Sequence, residues 1–115
     1  MQYLILLYGD EAAERALDAD ERRAIVERHM ALSEQLRDAR ALVAGEPLEP
    51  RGSARVLRRR NGRPVVTDGP FAETKEQLGG FYLLDCADLD EALEWARRVP
   101  ESPGLVVEVR TVAAI

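Results

Sequence analysis

The single histidine of the chain, His29, lies where an imidazole could transfer protons. The residues around it have helical periodicity, and at about 100° per residue His29 falls inside the apolar stripe of Ile25, Leu32 and Leu36. A buried imidazole needs hydrogen-bond partners, and it titrates near neutral pH. His29 is therefore either a structural residue bonded to a backbone carbonyl or a general acid or base.

Asp68 is the carboxylate that we expect beside His29. It is followed by Gly69 and Pro70, which shape a tight turn, and by Phe71, which we expect to anchor the turn in the core. A carboxylate beside an imidazole fixes its tautomer, stabilises the imidazolium and so raises its pKa. The alternative is an Asx turn, in which the Asp68 side chain accepts hydrogen bonds from the amides that follow it.

Other charged residues follow or precede this turn. Glu73, Lys75 and Glu76 could line the same pocket, with Lys75 holding an anion; the alternative is a solvated charge cluster. Five arginines surround Asn61-Gly62, and they could bind phosphate or form a solvated edge that discourages strand addition. These five are Arg55, Arg58, Arg59, Arg60 and Arg63.

Residue counts restrict the chemistry further. The only cysteine, Cys86, cannot form an internal disulfide, and one cysteine with one histidine cannot build a Cys and His zinc site within the chain. We expect no metal and no organic cofactor. Catalysis would then depend on His29, carboxylates, hydroxyls or backbone groups.

Length and charge indicate the class of protein. With 115 residues, 46% of them hydrophobic, the chain suits a single domain over residues 1–115. Its 16 cationic and 21 acidic side chains give a formal charge of −5, which disfavours nucleic acid. The apolar run 3–8 is far shorter than the roughly 20 residues of a membrane span, and it lacks the flanks of a targeting signal. We expect a cytoplasmic protein that binds neither nucleic acid nor membrane.

The pattern along the chain predicts two β-α-β units around a hairpin. Helices begin at the capping pairs Asp18/Glu21 and Asp88/Glu91, and Asn61-Gly62 suits a two-residue hairpin turn. The predicted elements are a strand at 2–8, a helix at 19–39, a strand at 41–45, a hairpin at 53–67, a loop at 68–76, a strand at 80–86, a helix ending at Pro100 and a strand at 105–112.

This order predicts a ferredoxin-like α+β fold, with an antiparallel sheet and both helices on one face. The other face would expose apolar side chains, which we expect among Tyr3, Ile5, Phe81, Leu83, Val107 and Val109. A second copy packed face to face would cover them in a symmetric homodimer. The alternative is a monomer with a polar outer face.

The sequence also carries a family resemblance. The string Asp68-Gly69-Pro70-Phe71-Ala72-Glu73-Thr74-Lys75-Glu76, the following Leu78-Gly79-Gly80-Phe81-Tyr82 and the helix around Trp95 resemble the YCII-related family, specifically its DGPF-type branch. The resemblance spans nearly the whole chain. It departs from the branch at Arg40, where a glycine is common, and at Thr111, where a proline is common.

The resemblance implies a dimeric α/β barrel and a pocket in which His29 and Asp68 form an acid–base pair. We expect Gly69, Pro70, Phe71, Glu73 and Lys75 to bind a small molecule there. Two functions stay open. One is a cofactor-free enzyme of lyase, isomerase or hydrolase type that moves a proton on a small cyclic or carbonyl compound. The other is a non-catalytic ligand-binding or regulatory module, because members of this branch are often associated with extracytoplasmic-function sigma factors.

Overall fold

The computed structural model describes all 115 residues, and four of its six strands form one antiparallel sheet in the order β2-β5-β1-β6. The helices and strands are β1 Gln2–Asp10, α1 Glu11–Arg15, α2 Ala19–Asp38, β2 Leu42–Pro47, β3 Arg55–Arg60, β4 Arg63–Asp68, β5 Glu76–Asp85, α3 Leu89–Arg97 and β6 Val106–Thr111. A 3-10 turn covers Arg51–Ser53. This strand order confirms the predicted ferredoxin-like α+β fold. None of the helices combines the length and the hydropathy that a membrane span requires.

The helix ends follow from local hydrogen bonds. Asp18 and Glu21 form the predicted capping box, and α2 ends before Arg40, which takes a left-handed conformation with φ of 58° at a cost of about 1–2 kcal/mol. The Asp88 side chain accepts a hydrogen bond from the Glu91 amide and so caps α3. The short helix α1 was not predicted from the sequence; Asp10, the last residue of β1, caps it.

The core lies between the sheet and the helices α2 and α3. Tyr3 and Ile5 of β1 pair with Leu84 and Tyr82 of β5, so all four side chains point to the same face. They are buried together with Leu32 and Leu36 of α2 and Ala92 of α3. The last two turns of α2 therefore attach this helix to the sheet, while Val26 and Met30 remain exposed.

The opposite face of the sheet is uncovered, as predicted, but four of the six residues expected there lie on the helix face instead. Val109 pairs with Ile5 and Val107 with Leu7, so both valines lie on the helix face with Tyr3 and Ile5. The prediction was wrong for Tyr3, Ile5, Val107 and Val109. Alternation along a strand assigns neighbouring residues to opposite faces, but it does not say which face packs against the helices. The open face carries Leu4, Leu6, Phe81 and Leu83, all half-buried.

The strands β3 and β4 form an arm outside the main sheet, which we define as residues 55–68. They hydrogen-bond to each other and not to the four-stranded sheet. The turn between them is the predicted one, since Asn61 and Gly62 have φ of 51° and 76°. The arm extends the molecule: the Cα radius of gyration is 16.0 Å, against about 13 Å for a compact chain of this length.

The open face leads to a prediction about assembly. We expect a second copy to cover it, so that the chain sediments at about twice 12.8 kDa. Leu83→Glu would place a charge in that interface and give monomer or aggregate. Leu89→Glu, a change at an exposed position of α3, is the control and should leave the assembly unchanged. A wild-type chain that sediments as a monomer would contradict the prediction.

Candidate functional site

His29 and Tyr82 form a hydrogen-bonded pair between α2 and β5. The His29 Nδ1 atom lies 2.6 Å from the Tyr82 hydroxyl oxygen. The two rings lie nearly parallel, with their centroids 6.0 Å apart and an angle of 18° between their planes. This contact joins the exposed half of α2 to the middle of the sheet.

A glycine on the neighbouring strand makes room for this pair. Gly45 of β2 lies opposite Tyr82 in the register of the sheet. A Cβ atom at residue 45 would lie 2.9 Å from Tyr82 Cδ1 and 3.2 Å from the Phe81 carbonyl oxygen, both closer than van der Waals contact. Any larger residue at this position would push the Tyr82 ring away from its place beneath His29.

Burial sets the ionisation of both partners. It lowers the pKa of His29 below its ordinary value of 6.5 and raises the pKa of Tyr82 above 10, while the Ser33 side chain lowers the Tyr82 pKa to a smaller extent. At pH 7 the pair is therefore a neutral imidazole and a neutral phenol. The hydroxyl can donate a hydrogen bond to Nδ1 or accept one from Nδ1–H.

The other ring nitrogen of His29 is accessible. Nε2 has no hydrogen-bond partner within the protein. Among half-buried and buried residues, Glu11 Oε2 is the one side-chain oxygen or nitrogen that is fully buried without a hydrogen-bond partner. Nε2 is consequently open to the space around it, and either tautomer of the ring can be presented there.

That space is a cleft of two adjoining cavities under α2. One has a volume of about 510 Å³ and is lined by Gly45, Gly80 and Tyr82 towards β2. The other has about 390 Å³ and extends towards the end of β1, where Gly9 and Glu14 line it. Both cavities share the residues Leu7, Val26, His29 and Gly79.

The structure does not bring Asp68 to His29. Asp68 is the last residue of β4, its side chain is 88% exposed, and its Oδ1 atom lies 3.1 Å from Nε of Arg55, its cross-strand partner. The expected pair is absent because the arm carries Asp68 outside the main sheet. The expected rise in the His29 pKa is also wrong, since burial acts without a neighbouring carboxylate.

The turn after Asp68 is formed, but it does not anchor in the core. Gly69 has φ of 94°, and its amide donates to the Ala54 carbonyl at 2.9 Å. Pro70 is half-buried, whereas Phe71 is 79% exposed and lies under the Arg58 guanidinium, 5.5 Å from the ring centroid. The prediction that Phe71 enters the core is wrong. None of the three lines either cavity.

The rest of the loop is fastened from β5. Buried Gln77 donates from Nε2 to the carbonyls of Ala72 and Thr74, at 2.9 and 2.8 Å. Lys75 Nζ lies 3.6 Å from Asp10 Oδ2, and Glu73 is exposed. Neither charged residue lines either of the two cavities described above, so a role for them in binding stays a prediction.

Tyr82 is the site residue that sequence reasoning missed. A signal for it existed: it alternates with Leu84 in an apolar strand, and a buried tyrosine hydroxyl needs a partner just as the imidazole of His29 does. Two polar groups in the apolar faces of packed elements are each other's natural partners.

Comparison with known proteins identifies the family of the chain. The sequence model of the YCII-related domain family matches residues 1–114. The chain belongs to the YCII-related family. An uncharacterised protein of Rhizobium meliloti (strain 1021), R00369, is 44% identical to it over 97 residues, which are 84% of this chain and 78% of that protein. The narrower DGPF-type assignment and an association with a sigma factor stay predictions for this YCII-related chain.

The histidine pair can be tested by titration. We expect the NMR titration of His29 to give a pKa below 6.5. Tyr82→Phe should lower this pKa further, because the imidazolium loses the acceptor of its Nδ1–H, and should destabilise the fold by about 1–3 kcal/mol. Asp68→Asn is the control and should not move the curve. If Asp68→Asn shifts the His29 pKa more than Tyr82→Phe does, the result would support a His29–Asp68 pair instead.

The same pKa shift predicts a pH dependence of stability. Because the folded pKa of His29 lies below the unfolded value of about 6.5, the unfolded chain binds more protons as the pH falls. The contribution of neutral His29 is complete above pH 6.5 and is lost as the pH falls from there through the folded pKa. Chemical denaturation at a series of pH values gives the free energy of unfolding as a function of pH. Below pH 6.5 this free energy should fall more steeply for the wild type than for His29→Gln; parallel pH curves would contradict the shift.

Proposed function

We propose that the cleft beneath α2 binds a small carbonyl compound and that His29 acts there as a general base. The observation that carries this proposal is the Nδ1–Tyr82 hydrogen bond, which orients the ring and leaves Nε2 open to the cleft. Tyr82 is a positioning residue, because it acts on the substrate through His29.

The electrostatics of the pair support a base. An imidazole that is neutral at pH 7 can accept a proton at once. When Nε2 takes the proton, Nδ1–H donates to the Tyr82 oxygen, so the new charge keeps a hydrogen-bond partner. A phenol stabilises imidazolium less than a carboxylate does, which agrees with a lowered pKa.

The lining of the cleft supports a small, partly apolar ligand. Leu7, Val26 and Met30 give it apolar walls, and glycines form much of the floor between β2, β5 and β1. Because Gly45, Gly79 and Gly80 have no side chains, they leave space in the cleft beneath the His29 ring. Such a cleft suits a ring or short chain with one polar group directed at Nε2.

Proton exchange in D₂O tests this proposal. The probes are 2-oxobutanoate and cyclohexanone, whose protons next to the carbonyl are seen by NMR. We expect the wild type to exchange these protons and His29→Gln to exchange them about 10²-fold more slowly, the usual size of a general-base contribution. Tyr82→Phe should lose part of the rate, and Asp68→Asn should keep it.

The outcomes separate the two functions. Exchange that depends on His29 supports the enzyme. A probe that shifts the His29 resonances without exchange would favour the ligand-binding module instead. Equal exchange rates in the wild type and His29→Gln would overturn the proposal. A wild type that neither binds the probes nor exchanges their protons would overturn it as well.

A further inference from the structure

Three carboxylates meet where β1 passes into α1, and two of them have cationic partners. Asp10 caps α1 through Oδ1 and faces Lys75 through Oδ2. Glu11 accepts a hydrogen bond from the Arg51 amide at 2.8 Å and lies 3.5 Å from its guanidinium. Glu14, the third, forms neither a salt bridge nor a hydrogen bond through its side chain.

Glu14 lies on the floor of the cleft. A Cβ atom on Gly9 would collide with Glu14 Oε1, so the carboxyl group occupies the space that the glycine leaves. Gly9 is on the helix face of β1, two residues after Leu7, which lines both cavities. Glu14 and His29 line the same cavity of about 390 Å³.

Burial shifts the pKa values of Glu14 and His29 in opposite directions. Burial raises the pKa of Glu14 above 4.5, and the charges of Glu11 and Asp10 raise it further, while burial lowers the pKa of His29 below 6.5. The two pKa values therefore move towards each other. Burial thus favours the carboxylic acid at Glu14 and the neutral imidazole at His29, which are the protonation states that a general acid and a general base require.

We propose that Glu14 is the general acid that works with the base His29, and that the substrate is a small ketone or keto acid enolised between them. This inference rests on the proposed function and assigns its second catalytic residue.

The step balances without a further reactant. His29 Nε2 takes a proton from the carbon next to the carbonyl, and the C–H electron pair forms the carbon–carbon double bond. The carbonyl π electrons move to oxygen, which takes the proton of the Glu14 carboxyl group. The products are an enol, an imidazolium and a carboxylate. In the return step the imidazolium, after exchange with solvent, gives a proton or deuteron to carbon, while the enol O–H proton returns to the Glu14 carboxylate and the carbonyl re-forms; this completes exchange or isomerisation and regenerates both residues.

Other charged groups border this cavity and enter its pH dependence. Besides Asp10 and Glu11 with their partners Lys75 and Arg51, they are Glu49, Arg15 and Arg22. The Arg22 guanidinium already donates two hydrogen bonds to the Leu17 carbonyl. Asp10 and Glu11 thus have cationic partners, whereas Glu14 and Glu49 form no salt bridge.

The test is exchange of cyclohexanone protons in D₂O as a function of pH. The wild-type rate should pass through a maximum in mildly acidic solution, rising with loss of the His29 proton and falling with loss of the Glu14 proton. Glu14→Gln should slow exchange at least 10-fold and abolish the fall on the alkaline side. Glu14→Asp should restore part of both, and Glu101→Gln, a change on an exposed loop, should match the wild type.

Each result decides the inference. Glu14→Gln at the wild-type rate, with exchange lost in His29→Gln, would overturn the role of Glu14 and leave the proposed function standing. No exchange by the wild type would overturn both. If Glu14→Gln does not fold, Glu14→Asp decides: an alkaline fall that is kept supports the acid, and one that is lost overturns it.

Discussion

The hydroxyl of Tyr82 is the constraint on which the site depends. It lies on the apolar face of the sheet, where a hydroxyl without a partner costs about 1–3 kcal/mol. His29 supplies that partner from α2 and gains one for its own Nδ1 at the same contact. Since Leu32 and Leu36 fix only the later turns of α2, this hydrogen bond positions the earlier turns above the sheet. The cleft is the space that remains beneath them.

Glycines keep that space open. β1 and β5 change register at Leu7/Tyr8, which leaves Gly79 unpaired in a bulge at the junction of the two cavities. Gly45 admits the Tyr82 ring and Gly9 admits the Glu14 carboxyl group. Each glycine weakens its strand relative to a residue with a side chain. The positions where the sheet gives up packing are thus those where polar groups enter the cleft, as expected where function competes with stability.

How much the sequence predicts depends on the range of the interaction. The capping box of Asp18 and the turn at Asn61 are set by neighbours along the chain, and both were predicted correctly. The family string also locates the loop 68–76. The pairing of Asp68 was not predictable in this way, because it depends on whether the arm joins the main sheet. Tyr82 was missed for a related reason: its partner lies 53 residues away, and only the register of β5 against β1 directs it towards α2.

Replacing a carboxylate by a phenol beside the imidazole changes the chemistry that the site favours. In a buried His–Asp pair the carboxylate stabilises the imidazolium. Such a pair suits a histidine that deprotonates a nucleophile, because the ring then bears a full positive charge during the reaction. Beside neutral Tyr82, imidazolium is costly, so the base works best when the negative charge that develops on the substrate is neutralised at once. A carbonyl oxygen that becomes an enol meets this requirement if an acid protonates it in the same cleft. The neutral pair at His29 and the uncompensated carboxyl group at Glu14 are therefore two parts of one electrostatic arrangement, since each suits a reaction in which no net charge is created on the substrate.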